Sequence, residues 1–210
     1  PQGADAVVKQ EEVVKNDGSV TITKEIVIGE NIRPQGEQIK ANDEAMTKGS
    51  IINPGAIGFL STLGVSHVSV ISKPKIAVIA TGSELVRPGE PRTGGQIYES
   101  NTFMLQAALN KANFSAEISS VEDDYYATKR AIKDSLDQND VLIITGGISV
   151  GDYDFVGKAL EDLGVTTGFY KLKQKPGKPF YFGKLGSKYI FALPGNPAAV
   201  LSCFYCFVLP

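Results

Sequence analysis

The 210-residue chain contains one histidine, no tryptophan, two cysteines and two methionines. The single histidine, His67, sits in the alternating run Val65 to Val70 with no other ligand-type side chain beside it. That excludes histidine-rich zinc centres, and it argues against a Ser-His-Asp triad. Cys203 and Cys206 form a C-x-x-C, a spacing that invites a redox or zinc reading. They lie inside the apolar run Ala198 to Leu209, after an Asn-Pro helix start, which places both in core packing and the chain in the cytoplasm. Charge of either sign is also scarce in excess: 21 Lys and Arg against 23 Asp and Glu give a net charge of −2. No global basic field is therefore present for nucleic acid, and an anionic ligand needs a local lysine cluster. No apolar stretch reaches bilayer length, so no membrane span is expected. The chain begins at Pro1 without an initiator Met or leader and closes on an apolar run at Pro210, so both ends read as cut from something longer.

What is present is organised around Asp140 to Asp154, DVLIITGGISVGDYD. Val141 to Ile144 form a short β-branched run suited to a strand buried on both faces. Thr145-Gly146-Gly147 follows, where glycines permit a tight turn and close approach of a ligand. Ser149, Gly151, Asp152 and Asp154 then precede a helical pattern from Phe155 to Leu163. Strand, glycine turn, hydroxyls and carboxylates, then helix is an arrangement that holds a phosphate-bearing ligand and its metal ion. The same turn also serves purely topological ends.

Upstream, valine- and isoleucine-rich runs flank Asn16-Asp17-Gly18-Ser19, which predicts a hairpin within a small antiparallel element. Asn53-Pro54 predicts a helix start, and Gly64 its end. Val65 to Ile71 reads as a strand, and Lys73-Pro74 as the main domain boundary. From Lys75 onward strands and helices alternate: strands over 76–80, 115–121, 141–144, 167–172, 180–182 and 189–193, with helices after the first three and a final apolar helix beyond Asn196-Pro197. Repeated βα units imply an α/β fold with a mostly parallel sheet covered by helices on both faces.

The clusters TGSE, EDD, TGGISVGDYD, KPGKP and LPGNP each come after a strand, so they should meet at the carboxyl edge of the sheet. Glu84, Asp123 and Asp154 are carboxylates on three separate loops, as an oxygen-liganded Mg²⁺ with bound phosphate requires. Helix N-capping is the competing role, strongest for Asp123, and Asp152 is open to it as well. Lys171, Lys175 and Lys178 supply positive charge for an oxyanion, while Lys173 reads as a surface residue. Pro194 and Pro197 bracket Gly195-Asn196 in a rigid turn whose N–H groups can meet an anion.

The segments PQGADAVVKQE, IRPQGEQI, TGSEL, GGQIYESN, TGGISVGDYD, KPGKPF and FALPGNPAA, in this order, resemble the molybdopterin molybdenumtransferase (MoeA-like) family, which includes the E domains of gephyrin and its plant counterpart. The resemblance implies a three-layer α/β/α molybdopterin-binding domain with a mostly parallel sheet over 73–210. It implies part of a β-rich domain over 1–32 and part of an elongated linker domain over 33–72, with the family's C-terminal β-barrel domain absent. It further implies Mg²⁺-dependent insertion of molybdate into adenylylated molybdopterin with release of AMP, in a cytoplasmic homodimer that receives its substrate from molybdopterin adenylyltransferase. By motif position Glu84, Asp123, Asp154, Lys171 and Lys175 fall on functional positions, Glu84 and Asp154 as metal-site carboxylates. Thr81, Gly82, Ser83, Thr145, Gly146, Gly147, Ser149, Lys178, Pro194, Gly195, Asn196 and Pro197 fall on binding positions. One departure stands out: Gln38 occupies GEQI where the family carries an aspartate, so that position has no charge here. The alternatives are the sibling adenylyltransferase acting on Mg-ATP, which the material before Lys73 disfavours, and a non-catalytic, gephyrin-like scaffold module.

Overall fold

The computed structural model describes residues 2–148 and 155–210, which divide into two compact units, Pro1–Val70 and Ile71–Pro210. In the first, β1 (Val13–Asn16) and β2 (Ser19–Ile22) form the expected hairpin, joined through Asp17-Gly18 with Gly18 at φ 79°. Lys24 ties this unit together, with its ammonium on Glu12 (2.9 Å) and on Glu30. Helix α1 (Pro54–Thr62) starts as predicted: the Asn53 side chain accepts from the Ala56 N–H, and Pro occupies the first turn, where no N–H is missed. The strand expected over Val65 to Ile71 does not form. Its Val65, Val68, Val70 and Ile71 are exposed, and no described strand lies alongside to satisfy its backbone.

The second unit is built on a six-stranded sheet in the order β6-β3-β7-β10-β9-β8. These are β3 (Ile76–Thr81), β6 (Ala116–Val121), β7 (Val141–Thr145), β8 (Thr166–Tyr170), β9 (Tyr181–Leu185) and β10 (Lys188–Leu193). The first four in sheet order are mutually parallel, and β9 runs antiparallel to both its neighbours. A two-residue parallel pair, β4 (Leu85–Val86) with β5 (Ile97–Tyr98), flanks the Gly- and Pro-rich connection 87–96.

Alternation along the strands divides the core. Ala77, Ile79, Leu142, Ile144, Ile190 and Ala192 face α3 (Tyr125–Gln138) and α4 (Phe155–Asp162), meeting Ile132, Leu136, Val156 and Leu160. Ile76, Val78, Ile143 and Leu193 face α2 (Asn101–Lys111) and α5 (Pro197–Cys203), meeting Leu105, Leu109, Val200 and Phe204. Each fully buried Val, Leu, Ile or Phe among these contributes about 1.5–3 kcal/mol. The three-layer α/β/α expectation therefore holds. Cys203 is buried in the second layer, as its apolar context predicts; Cys206, expected in the core as well, lies in the π-helical turn Phe204–Val208 and is exposed. No helix among the described residues is long and apolar enough to cross a membrane.

Polar contacts join α3 to α4. The Tyr125 hydroxyl donates to the Asp162 carboxylate, and Lys129 lies 3.6 Å from the same carboxylate. This hydrogen bond, then the neighbouring Lys129 and Lys158 charges, hold the Asp162 carboxyl below the ordinary carboxylate range. A depressed native pKa stabilises above the unfolded value, and the contribution disappears as pH falls through the native one. Tyr125→Phe should move Asp162 upward toward an ordinary aspartate, and an NMR pH titration of the carboxyl carbon would read the change.

Candidate active site

The four parallel strands end together: Thr81 pairs with Val121, Ala80 with Thr145, and Leu193 with Thr145. At this edge lies a cavity of about 580 Å³. Thr81, Gly82 and Glu84 come from the β3 loop, Asp123 from the β6 loop, and Thr145 to Ile148 from the β7 loop. Pro179 and the turn Pro194 to Pro197 close it, so all five strand-end clusters contribute.

Adjacent loops are tied to one another. The Gly82 N–H donates to Val121 O (3.2 Å), the Ser83 N–H to Asp123 Oδ2 (3.2 Å), and the Asp123 N–H to Ser83 Oγ (3.0 Å). Thr81 Oγ1 donates to Thr145 O at 3.4 Å, and the Gly146 N–H to Leu193 O at 3.2 Å. Asn101, the first residue of α2, donates through Nδ2 to Gly195 O at 2.9 Å. The walls are thus held in place before any ligand arrives, as electrostatic catalysis requires. Asn101 belongs to the GGQIYESN segment but is not singled out by the sequence as a site residue; α2 is capped by the Glu99 carboxylate, which accepts from the Thr102 N–H at 2.8 Å.

Glycine is needed at two positions in a strict sense. A Cβ on Gly146 (φ +83°) would lie 2.5 Å from Thr81 O, and one on Gly147 (φ +60°) 2.6 Å from Thr81 Oγ1. Backbone and hydroxyl here come within touching distance, and no side chain fits between them.

The capping role weighed for Asp123 belongs to its neighbour. Asp124 accepts from the Ala127 N–H (2.7 Å), which leaves Asp123 for Ser83 and the cavity. Glu84 turns its carboxylate back over Gly82, where a Cβ would lie 2.9 Å and 3.1 Å from its two oxygens. Asn196 spends its side chain on the Ala198 and Ala199 N–H groups (3.0 and 3.3 Å), so those donors are taken within the chain.

Not every site residue from the sequence lines this cavity. Ser83 supports it through Asp123, whereas Lys171, Lys175 and Lys178 are exposed and outside its lining. Ser149, Asp152 and Asp154 fall outside the described residues. Lys171 places its ammonium 4.7 Å from the centre of the Tyr170 ring. Its φ is +68°, and among the described residues the other non-glycine positions with positive φ, Asn31, Asn42 and Asn113, are all asparagine, which tolerates that region. Relief of about 1–2 kcal/mol in Lys171→Gly is offset by the chain entropy of glycine and by the lost cation–π contact, each about 0.5–1 kcal/mol. Urea unfolding should therefore find Lys171→Gly within about 1 kcal/mol of wild type and Lys171→Val about 2 kcal/mol less stable.

Two carboxylates on separate loops suit Mg²⁺, which binds through one or two carboxylates and otherwise keeps water and substrate phosphate oxygens. No group of three metal-ligating side chains occurs among the described residues. Two such oxygen donors fit a metal shared with a phosphate ligand.

The fold and crevice define an α/β ligand-binding domain whose mostly parallel sheet is covered on both faces. Residues 77–210 match the family described as probable molybdopterin binding domain, and residues 1–64 match the MoeA N-terminal region, domains I and II. The chain belongs to this molybdopterin-binding family. Over its whole length it is 37% identical to the molybdopterin molybdenumtransferase of Haemophilus influenzae, of which it spans 52%, and 37% identical to that of Staphylococcus aureus (strain COL), of which it spans 50%. A crystal structure of the molybdopterin biosynthesis MoeA protein of Pyrococcus horikoshii matches the entire chain at TM-score 0.77 and 32% identity, and the chain covers 52% of that structure. The chain thus spans about half the length of the curated relatives it matches.

Proposed function

We propose that the protein carrying this chain inserts molybdenum from molybdate into adenylylated molybdopterin, with Mg²⁺-dependent release of AMP. One observation carries the reading: five separate strand-end loops meet in a single cavity that combines two carboxylates with a glycine wall. The N-terminal match to the MoeA region favours this activity over adenylyl transfer from Mg-ATP, and the retained carboxylates favour it over a scaffold role. A homodimer in the cytoplasm, supplied by the adenylyltransferase, belongs to the same proposal.

The chemistry is cleavage of a phosphoanhydride, in which water adds to phosphorus and AMP departs as the anhydride oxygen bond breaks. Gly146 and Gly147 let the β7 loop close against Thr81, and the tie between the β3 and β6 loops holds Asp123 in a fixed position beside Glu84. Glu84, with Asp154 from outside the described residues, would hold Mg²⁺, which supplies charge stabilisation on the phosphate oxygens. Lys171, Lys175 and Lys178 stand outside the cavity lining and would add positive charge where the substrate anion approaches.

The test gives the complete protein adenylylated molybdopterin, Mg²⁺ and molybdate, and follows AMP by chromatography. Molybdate-dependent AMP release that EDTA suppresses is the expected result, and Asp154→Ala should abolish it. No AMP release with or without molybdate would overturn the assignment, and adenylylated product from molybdopterin and Mg-ATP would replace it with the sibling activity.

A further inference from the structure

The two outer strands of the six-stranded sheet are built differently. β8, on one side, is irregular: its pairing with β9 shifts register between Thr167 and Phe169, around Gly168. Such a bulge keeps an outer strand from pairing with another chain. β6, on the other side, runs six residues (AEISSV) in unbroken register with β3 and carries no Pro, Gly or Lys. Its Glu117, Ile118, Ser119 and Ser120 are exposed. Val121 O accepts from the Gly82 N–H, so by the alternation of a parallel strand Val121, Ser119 and Glu117 turn their backbone groups to β3. Ile118 and Ser120 turn theirs outward, where no described backbone group meets them.

A cavity opens on each face of the sheet beside this strand. On the α2 face a space of about 470 Å³ is lined by Phe103 and Gln106 of α2, by Arg87, and by Ile118 and Ser120 of β6. Arg87 makes no side-chain hydrogen bond or ion pair among the described residues. Glu99, the other charged residue of this lining, spends its carboxylate on the Thr102 N–H and hydroxyl. On the α3 face a space of about 310 Å³ is lined by Glu117, Ser119, Asp134 and Gln138, with no cation in the lining. Arg130 offsets Asp134 from 3.7 Å away, whereas Glu117 meets the Asn139 amide at 3.3 Å and no counter-charge. One face thus offers an unpaired guanidinium and the other an unpaired carboxylate, and Ile118 and Ser119 border both spaces.

We infer that β6 is a docking strand for an extended segment of a partner protein that carries an acidic and a basic side chain in adjacent positions. An added strand meets the outward N–H and C=O groups of Ile118 and Ser120, the mode by which open sheets take up peptides. Consecutive side chains of a strand point to opposite faces. When the acidic one enters the α2-side space toward Arg87, its basic neighbour therefore enters the α3-side space toward Glu117. Backbone pairing supplies the affinity, and the two opposite charges select the segment. None of Arg87, Glu117, Ile118 and Ser120 lines the cavity at the strand ends, so the surface is separate from the site described above.

The experiment titrates the complete protein with a terminally blocked, fluorescein-labelled peptide, Thr-Val-Thr-Glu-Lys-Thr-Val-Thr, followed by fluorescence anisotropy and by amide hydrogen exchange in NMR spectra. Wild type should bind it saturably. Exchange at the Ile118 and Ser120 amides should slow on binding, while the Glu117 and Ser119 amides, already bonded to β3, stay as they are. Ser120→Pro removes an outward N–H and leaves the ladder to β3 in place, so it should weaken binding about tenfold or more. Glu117→Lys, an exposed substitution, should weaken binding by a similar factor, and replacing the peptide's Lys with Glu should restore it to that variant. No saturable binding by wild type, unchanged affinity in Glu117→Lys, or binding that leaves the Ile118 and Ser120 amides unprotected would each overturn the inference. Protection of these amides in the free protein that grows with its concentration would overturn it in favour of a second copy of the chain on this strand.

Discussion

Replacing Gly146 with Ala is expected to destabilise the α/β unit by about 3 kcal/mol. About 1–2 kcal/mol comes from forcing a side chain into a left-handed backbone, and about 1–3 kcal/mol from overpacking a site with no room. The crowding atom decides the matter. At 2.5 Å the new Cβ meets the carbonyl oxygen of Thr81, the last residue of a strand bonded on both sides, so it cannot move aside. Gly164 provides the comparison, with φ +78° and nothing within 4 Å of an added methyl group. There only the backbone cost applies, offset in part by reduced entropy of the unfolded chain, for a loss of about 1 kcal/mol. In thermal unfolding the Gly146 variant should melt roughly 6–12 °C below wild type. Equal losses at the two glycines would show that the contact with Thr81 carries no energetic weight.

Glu84→Gln is expected to leave the melting temperature near that of wild type while lowering molybdate-dependent AMP release by about 10²- to 10³-fold. Glu84 is exposed at the cavity and makes no buried contact, so stability has little to lose. Its charge is what the phosphate site requires. Asp123→Asn separates two roles in the same assay. An amide oxygen still accepts from the Ser83 N–H, so the tie between the β3 and β6 loops survives while the charge goes. Loss of turnover comparable to Glu84→Gln assigns Asp123 to the chemistry, whereas near-normal turnover assigns it to holding Ser83. Full activity in Glu84→Gln would remove that residue from the site.

Much of the fold is legible in the residues because local and global signals agree. Ile76 to Ala80 and Val141 to Ile144 are apolar throughout because both faces of their strands are covered. Asn53-Pro54 and Asn196-Pro197 mark helix starts, and the side chains cap as their chemistry predicts. The convergence of five clusters follows from topology alone, since every parallel strand delivers its following loop to one edge. Other features depend on contacts with distant residues. Val65 to Ile71 has the alternation of a strand, but alternation does not provide a neighbour to pair with. Leu85 and Ile97 pair across a long Gly- and Pro-rich connection, which no local pattern announces. Which of Asp123 and Asp124 caps α3 turns on a single residue of register. The lysines carry charge that sequence can count, yet their side-chain directions are set by the backbone of 171–178, where Lys171 is left-handed.

Gly177 is buried at φ +104°, and a Cβ there would sit 2.6 Å from Cys203 Sγ, while the thiol itself lies 3.9 Å from Gly177 O. The loop bearing Lys175 and Lys178 therefore seals a thiol whose burial also pushes its pKa up, away from the reactive thiolate. Cys206 in the next turn is exposed and serves as the immediate reference. A thiol-modifying dye should label Cys206 at once and Cys203 only when the lysine loop lifts. The slow phase then times the opening of that loop in solution, with no reporter group added to the chain.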